Sequence, residues 1–449
     1  MIPEPISQKL DHSYIKDAIN ESLEILRNRI LSRETVKVDL SEILYEILQN
    51  LEHQTSPNLK RVINGTGIVL HTNLGRAVLS EKSLDHLKDT MMHYNTLEFD
   101  LEAGKRGSRY KHVEQLICKL TGAEAALVVN NNAAAVMLIL NTLAKDKEVI
   151  LSRGELVEIG GSFRIPDVMR SSGCILKEVG TTNKTHYQDF AGAITSETAM
   201  ILKVHTSNFQ VLGFTHTVER ELLGDLSRKH RIPFYEDLGS GALIDLSTLQ
   251  LSREPLIEEC LKSGVDLVSF SGDKLLGASQ AGIIAGKKEY IDLLKQNQLL
   301  RALRIDKLSL SILEMTLLDY LNTSNLVHVN PTLKMLSKKA EDVLEELNYF
   351  VRKHESSLDQ LGVRYAIGSV DSQVGGGTLP LEILPSFALI LQGDFNATKV
   401  QARMRTLSVP IICKIVEDAI VIDFRTIFDD DYALLIDGLT RTFMGESHD

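Results

Sequence analysis

Leu267-Val-Ser-Phe-Ser-Gly-Asp-Lys-Leu-Leu-Gly277 holds the residues of this chain best placed for chemistry. An apolar run ends at Phe270, and Ser271, Asp273 and Lys274 follow at its mouth. A lysine held at a strand end in a partly dry site loses proton affinity and can form a Schiff base. Taken alone, an Asp-Lys pair is more simply a surface turn. Upstream, Ile232-Pro-Phe-Tyr-Glu-Asp237 closes a second strand-like run on an acid, followed by Leu-Gly-Ser-Gly241. Alone, an aspartate before glycines is a turn or cap residue. At a neighbouring strand end it can instead bind a protonated ring nitrogen. A third run ends in Val204-His-Thr-Ser-Asn208, which supplies an amide. In Val129-Asn-Asn-Asn-Ala-Ala-Ala135 a strand passes into a helix, so Asn131, Asn132 and Ala133 offer N–H groups suited to a phosphate. Ser271 can add a hydroxyl to the same anion.

The elements that must position these groups can be read from periodicity. Short β-rich runs, Ala125–Val129, Glu148–Leu151, Ile175–Val179, Met200–His205, Pro233–Glu236, Leu267–Phe270 and Gly282–Ala285, alternate with helical stretches. That rhythm predicts an α/β fold with a mostly parallel central sheet, whose ligands sit at the carboxyl ends of the strands. Residues 13–57 read as helical. Ile15, Ile19, Leu23, Leu26 and Ile30 share one face, and Asp39-Leu-Ser-Glu42 has the form of a capping box opening a second helix. Gln54-Thr-Ser-Pro-Asn58 reads as a linker. From residue 331 a helix over Leu333–Tyr349 and strands near Ala388–Leu391 and Ala419–Phe424 suggest a smaller α/β domain. The expected domains are 1–58, 59–330 and 331–449.

Composition narrows the class. The 449 residues are 43% hydrophobic and 24% charged, as in an ordinary globular protein. The longest apolar stretch, Ala133 to Leu140, is too short to span a bilayer, and Met1-Ile-Pro-Glu-Pro5 lacks the features of a secretory signal. Cys118, Cys174, Cys260 and Cys413 form no CxxC pair, so neither a zinc ribbon nor a disulfide framework is expected, and no metal site. The expected location is cytoplasmic. Net charge is −11, so any polyanion must be met by local patches. Residues 1–60 carry seven Lys/Arg against ten Asp/Glu, which is not the signature of a basic RNA-binding unit.

Helix start, asparagine, aspartate and lysine in this order and at these strand ends resemble the large domain of fold-type I pyridoxal-phosphate enzymes. In that setting Asp237 keeps the pyridine nitrogen charged, so the ring acts as an electron sink. Asn208 hydrogen-bonds its phenolic oxygen, and Lys274 anchors it. An aromatic or histidine to stack on the ring is absent from Ser152-Arg-Gly-Glu-Leu-Val-Glu-Ile-Gly-Gly161. His71 and His205 read as structural histidines.

Three longer motifs narrow the resemblance: Val62-Ile-Asn-Gly-Thr-Gly-Ile-Val-Leu-His-Thr-Asn-Leu-Gly-Arg-Ala77, the Ser152–Pro166 segment, and Arg301-Ala-Leu-Arg-Ile-Asp-Lys307. With Phe270–Gly277 they resemble the bacterial L-seryl-tRNA(Sec) selenium transferases, from about residue 60 to the C-terminus. The resemblance implies a fold-type I transferase with pyridoxal 5'-phosphate on Lys274. It implies conversion of seryl-tRNA(Sec) to selenocysteyl-tRNA(Sec) by β-elimination, with selenium from selenophosphate. It also implies a homo-oligomer, a decamer built as a pentamer of dimers, with the N-terminal helical domain holding the tRNA. Arg76, Arg301 and Arg304 match the family's phosphate-binding arginines, and planar guanidinium groups suit a tetrahedral oxyanion. Without the resemblance, Arg301 and Arg304 read as a solvated helix face, three residues apart. Asp273 matches an active-site position; its simpler role is to cap a following helix. Arg109, in Gly104-Lys-Arg-Gly-Ser-Arg-Tyr110, is expected at the cofactor phosphate of a neighbouring subunit, or else in a surface turn. Two other classes compete: a lyase using the same cofactor on a free amino acid or amino sugar phosphate, and a non-enzymatic RNA-binding scaffold. Retention of both Lys274 and Asp237 argues against the scaffold.

Overall fold

The computed structural model describes residues 10–32, 40–159, 163–209 and 211–444. The expected cap at Asp39 and the segment Met1–Pro5 lie outside the described residues. So do residues 160–162 of the Ser152–Pro166 motif.

The chain divides into two compact units, residues 1–61 and 62–449. The first is a pair of helices, His12–Leu31 and Leu40–Thr55, packed around Ala18, Ile47 and Leu51. The periodic face read from the sequence is the one that Ile15 and Leu26 bury, whereas Leu23 and Ile30 remain exposed.

The second unit holds two sheets. Its strands are β1 (Ile63–Gly65), β2 (Ala125–Val129), β3 (Glu148–Ser152), β4 (Ile175–Val179), β5 (Thr198–Val204) and β6 (Phe234–Gly239). After them come β7 (Leu267–Ser271), β8 (Gly282–Gly286), β9 (Arg364–Gly375), β10 (Thr378–Gln392), β11 (Ile411–Val416) and β12 (Ala419–Asp423). All seven runs read as strands before residue 290 enter one sheet, ordered β2-β8-β7-β6-β5-β3-β4. Only β8 runs antiparallel to its neighbours in that sheet. It follows β7 after a turn too short for a crossover helix, so the chain returns alongside itself. Every residue of β2, β7 and β8 is buried, as in strands covered on both faces.

The smaller sheet is ordered β1-β11-β12-β10-β9. Strand β1 pairs in parallel with β11, so the start of the expected large domain is built into the small sheet. The helix expected over Leu333–Tyr349 is two helices, Pro331–Ser337 and Ala340–Gln360. Lys338 and Lys339 adopt extended ψ angles between them, and Lys339 serves as the N-cap of the second. An apolar stripe can run on across such a break, because periodicity records the buried face and not backbone continuity. No described helix is long and apolar enough to cross a membrane.

Candidate active site

The carboxyl ends of β2, β5, β6 and β7 converge on Lys274. Strand β7 ends at Ser271, and a turn rather than a helix carries Gly272, Asp273 and Lys274, so Asp273 has no helix to cap. Asp237, Asp273 and Lys274 are all buried, at 2%, 7% and 5% exposure. Burial and the nearby Arg76 guanidinium lower the Lys274 pKa, while Asp237, Asp273 and Glu254 pull it the other way. Among the described residues its amine forms no ion pair. That is the state a Schiff-base lysine needs.

Asp237 lies beside it on β6. Its Oδ1 accepts from Asn132 Nδ2 at 2.8 Å, from the Gly239 N–H at 3.1 Å and from Ser269 Oγ at 3.3 Å. Burial raises the Asp237 pKa, and these donors together with Lys274 oppose the rise. Gly239 adopts φ +65°, and a Cβ there would sit 3.8 Å from Lys274 Nζ, so the backbone itself walls the amine. Strand β8 passes so close to the helix start that a Cβ on Gly282 would fall 2.1 Å from the Asn131 carbonyl oxygen.

The three asparagine-loop residues divide their work. Asn131 caps helix Asn132–Leu143 by accepting from the Ala134 N–H, whereas Asn132 turns its amide to Asp237. Asn132 is therefore tied to Asp237 and not free to serve only a phosphate. Ala133 follows in the first turn of that helix. Ser271 is buried at the strand end, two residues beyond Ser269 and on the same face of β7. Asn208 Nδ2 donates to the Glu158 carbonyl at 3.0 Å, while its Oδ1 is buried without a hydrogen-bond partner among the described residues.

Arg76 reaches the site by a salt bridge of 2.7 Å to Asp273 Oδ2. It adopts a left-handed φ of +60°, which is unfavourable for a side chain of this size. Arg109 and Arg304 form a second cluster around Glu98. Arg109 is buried, with Nε and Nη2 on Glu98 at 3.0 and 2.5 Å and Nη1 on the Ile305 carbonyl at 2.7 Å. Within this chain its guanidinium is thus taken up by Glu98 and Ile305. Arg304 stands 3.6 Å from the same Glu98 oxygen.

Arg301 and Arg304 do not share a helical face. Helix Leu299–Leu303 contains the exposed Arg301 and stops before Arg304, whose ψ of 140° is extended. Arg304 forms an antiparallel bridge with Val129, which carries it to the end of β2. Pairing with a strand edge there outweighs helix propagation in so short a segment.

The two histidines are satisfied structurally. His71 Nδ1 accepts from the Asn73 N–H, and His205 Nε2 lies 2.9 Å from Glu254. A cavity of about 360 Å³ opens on the flank of the site, over the ends of β3 and β5, lined by Ser152, Glu155, Lys203, His205 and Arg220 among others. It does not enclose Lys274. Sequence reasoning missed Ser269 and the Asn132–Asp237 contact. Strand alternation from Ser271 contained the signal for Ser269, and nothing local signalled the contact.

Several buried polar atoms of the site are left over for a bound group, Asn208 Oδ1 among them. Asn132 Oδ1, Ser240 Oγ and Asp273 Oδ1 are buried without a hydrogen-bond partner among the described residues. Buried atoms of this kind are costly unless a bound group completes them.

Comparison with known proteins identifies the lineage. The family model described as "SelA: L-seryl-tRNA selenium transferase" matches residues 62–428. The chain belongs to this family. It is 51% identical to an L-seryl-tRNA(Sec) selenium transferase of Caldanaerobacter subterraneus subsp. tengcongensis over 95% of this chain and 92% of that one. A protein of the same name from Alkaliphilus oremlandii is 48% identical over 97% and 92%. Among solved structures, a D-glucosaminate-6-phosphate ammonia-lyase superposes with a TM-score of 0.58 at 19% identity, covering 88% of this chain and 98% of that one. That likeness concerns the fold, which is the fold-type I architecture of the pyridoxal-phosphate enzymes.

Proposed function

We propose that the chain converts L-seryl-tRNA(Sec) to L-selenocysteyl-tRNA(Sec), using pyridoxal 5'-phosphate and selenophosphate. The observation that carries the reading is a buried, unpaired Lys274 amine beside a buried Asp237, in a chain nearly half identical to named selenium transferases over almost its full length. Lys274, Asp237, Asn132, Asn131, Ala133 and Ser271 are the residues that would hold the cofactor. Asn208 would join them through its second amide N–H, whereas Arg109 is a weaker member, because its Nε, Nη1 and Nη2 already donate within the chain. Bound there, pyridoxal phosphate supplies an aldehyde for the seryl amine and a ring that withdraws electrons from Cα.

The chain's own groups do the rest. With the cofactor bound, the Lys274 amine would accept the Cα proton, and burial keeps it neutral enough to do so. Asp237 retains the proton on the ring nitrogen. Arg76, held by Asp273, lies beside Lys274 and presents positive charge to the selenium donor. Arg304 and Arg301 serve the phosphate of that donor. The β-hydroxyl would leave with a proton as water, the selenium of selenophosphate would bond to Cβ, and water would cleave the Se–P bond to release phosphate. A seryl ester has no free carboxylate, so no arginine is needed there.

The N-terminal helical pair is the proposed tRNA-holding unit. Self-association, with the decamer as the state the family resemblance implies, would cover Met92, Tyr94 and Leu101, which are exposed in the segment before Arg109. A cytoplasmic location accords with four cysteines that are all free.

The test is incubation of the purified chain with seryl-tRNA(Sec) and selenophosphate, followed by analysis of the aminoacyl group. Selenocysteyl-tRNA is the expected product. No conversion, with turnover of a free amino acid or amino sugar phosphate instead, would establish the lyase reading.

A further inference from the structure

Asp237 is supported from beneath as well as from Asn132. The register of the sheet pairs Asp237 with Ser269 of β7, and Tyr235 lies two residues earlier on the same face of β6. All three side chains are buried. The Tyr235 phenolic oxygen lies 2.7 Å from Ser269 Oγ, and Ser269 Oγ lies 3.3 Å from Asp237 Oδ1. An ionised carboxylate only accepts, so the Ser269 hydroxyl donates to Asp237 and accepts from Tyr235. The direction of the whole chain is thereby fixed.

We propose that Tyr235 and Ser269 are positioning residues forming one arm, with Tyr235 acting solely through Ser269, that keeps the Asp237 carboxylate ionised and aimed at the cofactor's ring nitrogen. The inference rests on the reading of Lys274 and Asp237 as the pyridoxal-phosphate site. Its physical basis is a contest at a buried acid. Burial favours the neutral carboxyl, and the donors from Asn132, Gly239 and Ser269 favour the charged one. Other titratable groups face Asp237 as well. Lys274 approaches from the turn after β7, and Tyr235 from its own strand. His205, at the end of β5, reaches the Asp237 carbonyl oxygen through its backbone N–H, while its ring is held by Glu254. Burial and the Asp237 charge push the Tyr235 hydroxyl well above its ordinary range, so it stays a donor throughout.

Pyridoxamine phosphate is the probe, because it has the ring nitrogen and phosphate but no aldehyde for Lys274 to attach. Its dissociation constant is measured against pH for the full-length chain, Ser269→Ala, Tyr235→Phe and the double variant. The unfolding temperature of each is recorded alongside. Ser269→Ala is expected to weaken binding about tenfold near neutrality and to move the acid-side loss of affinity up by about one pH unit. The sign follows from the contest: without the hydroxyl, Asp237 takes a proton at higher pH. Tyr235→Phe shifts the profile the same way by less, and the double variant matches Ser269→Ala. Unchanged pH profiles, or losses that add in the double variant, would overturn the proposal and leave only packing. Should Ser269→Ala fail to fold, the near-isosteric Tyr235→Phe decides alone, and an unshifted profile overturns the arm. A wild-type chain that binds neither pyridoxamine phosphate nor pyridoxal phosphate overturns the cofactor reading, and this inference with it.

Discussion

Lys274 is surrounded by charges that disagree about its proton. Burial and Arg76 drive the proton off, and three carboxylates hold it on. Replacing Arg76 removes one of the two drivers and also releases Asp273 from its salt bridge. Both changes raise the Lys274 pKa. In Arg76→Gln, the pH midpoint for attachment of pyridoxal phosphate should therefore rise, by about one unit, in an absorbance titration. An unmoved midpoint would mean that Arg76 does not act on the amine. Arg301 and Arg304 predict a different signature. Arg301→Ala and Arg304→Ala should raise the KM for selenophosphate and leave the cofactor spectrum unchanged. Loss of cofactor binding would contradict their assignment to the donor.

At the scale of elements, the sheet holds its active edge through buried charge pairs as well as apolar strands. Arg220, at the start of helix Arg220–His230, grips Glu236 of β6 with two hydrogen bonds of 2.7 and 2.8 Å, and Glu236 has no exposed surface. Arg220→Ala strands that carboxylate. The expected cost is about 3–5 kcal/mol of unfolding free energy, read by chemical denaturation. A loss within experimental error would show that Glu236 finds water or Lys203 instead. The strands of this sheet were legible in the sequence because each is a short apolar run bounded by turns. So were Lys274 and Asp237, since strand ends are where such sheets hold ligands. The partition of Asn131 and Asn132 was not legible. One caps its own helix and the other crosses to Asp237, and adjacent identical residues differ only in where the backbone aims them. The Arg301–Arg304 spacing misled for a related reason. Three residues mark one face only while the helix lasts, and a bridge to Val129 ends it. Of the long hairpin of β9 and β10 only the Ala388–Leu391 end was read as a strand, because the burial of the rest alternates irregularly and gives no clean period.

The whole molecule joins a helical pair to an α/β unit in which β1 belongs to the small sheet although it opens the chain of the large one. The proposed assembly predicts a particle mass by light scattering of ten times the 50.0 kDa chain. A monomer that remains fully active would contradict it. The family relationship, the fold and the buried strand-end cluster all bear on one covalent event. The enzyme is loaded with pyridoxal phosphate, reduced with borohydride, digested and mapped by mass spectrometry. A phosphopyridoxyl group is expected on Lys274 and none in Lys274→Ala. A label on another lysine, or no label at all, would contradict the assignment of Lys274.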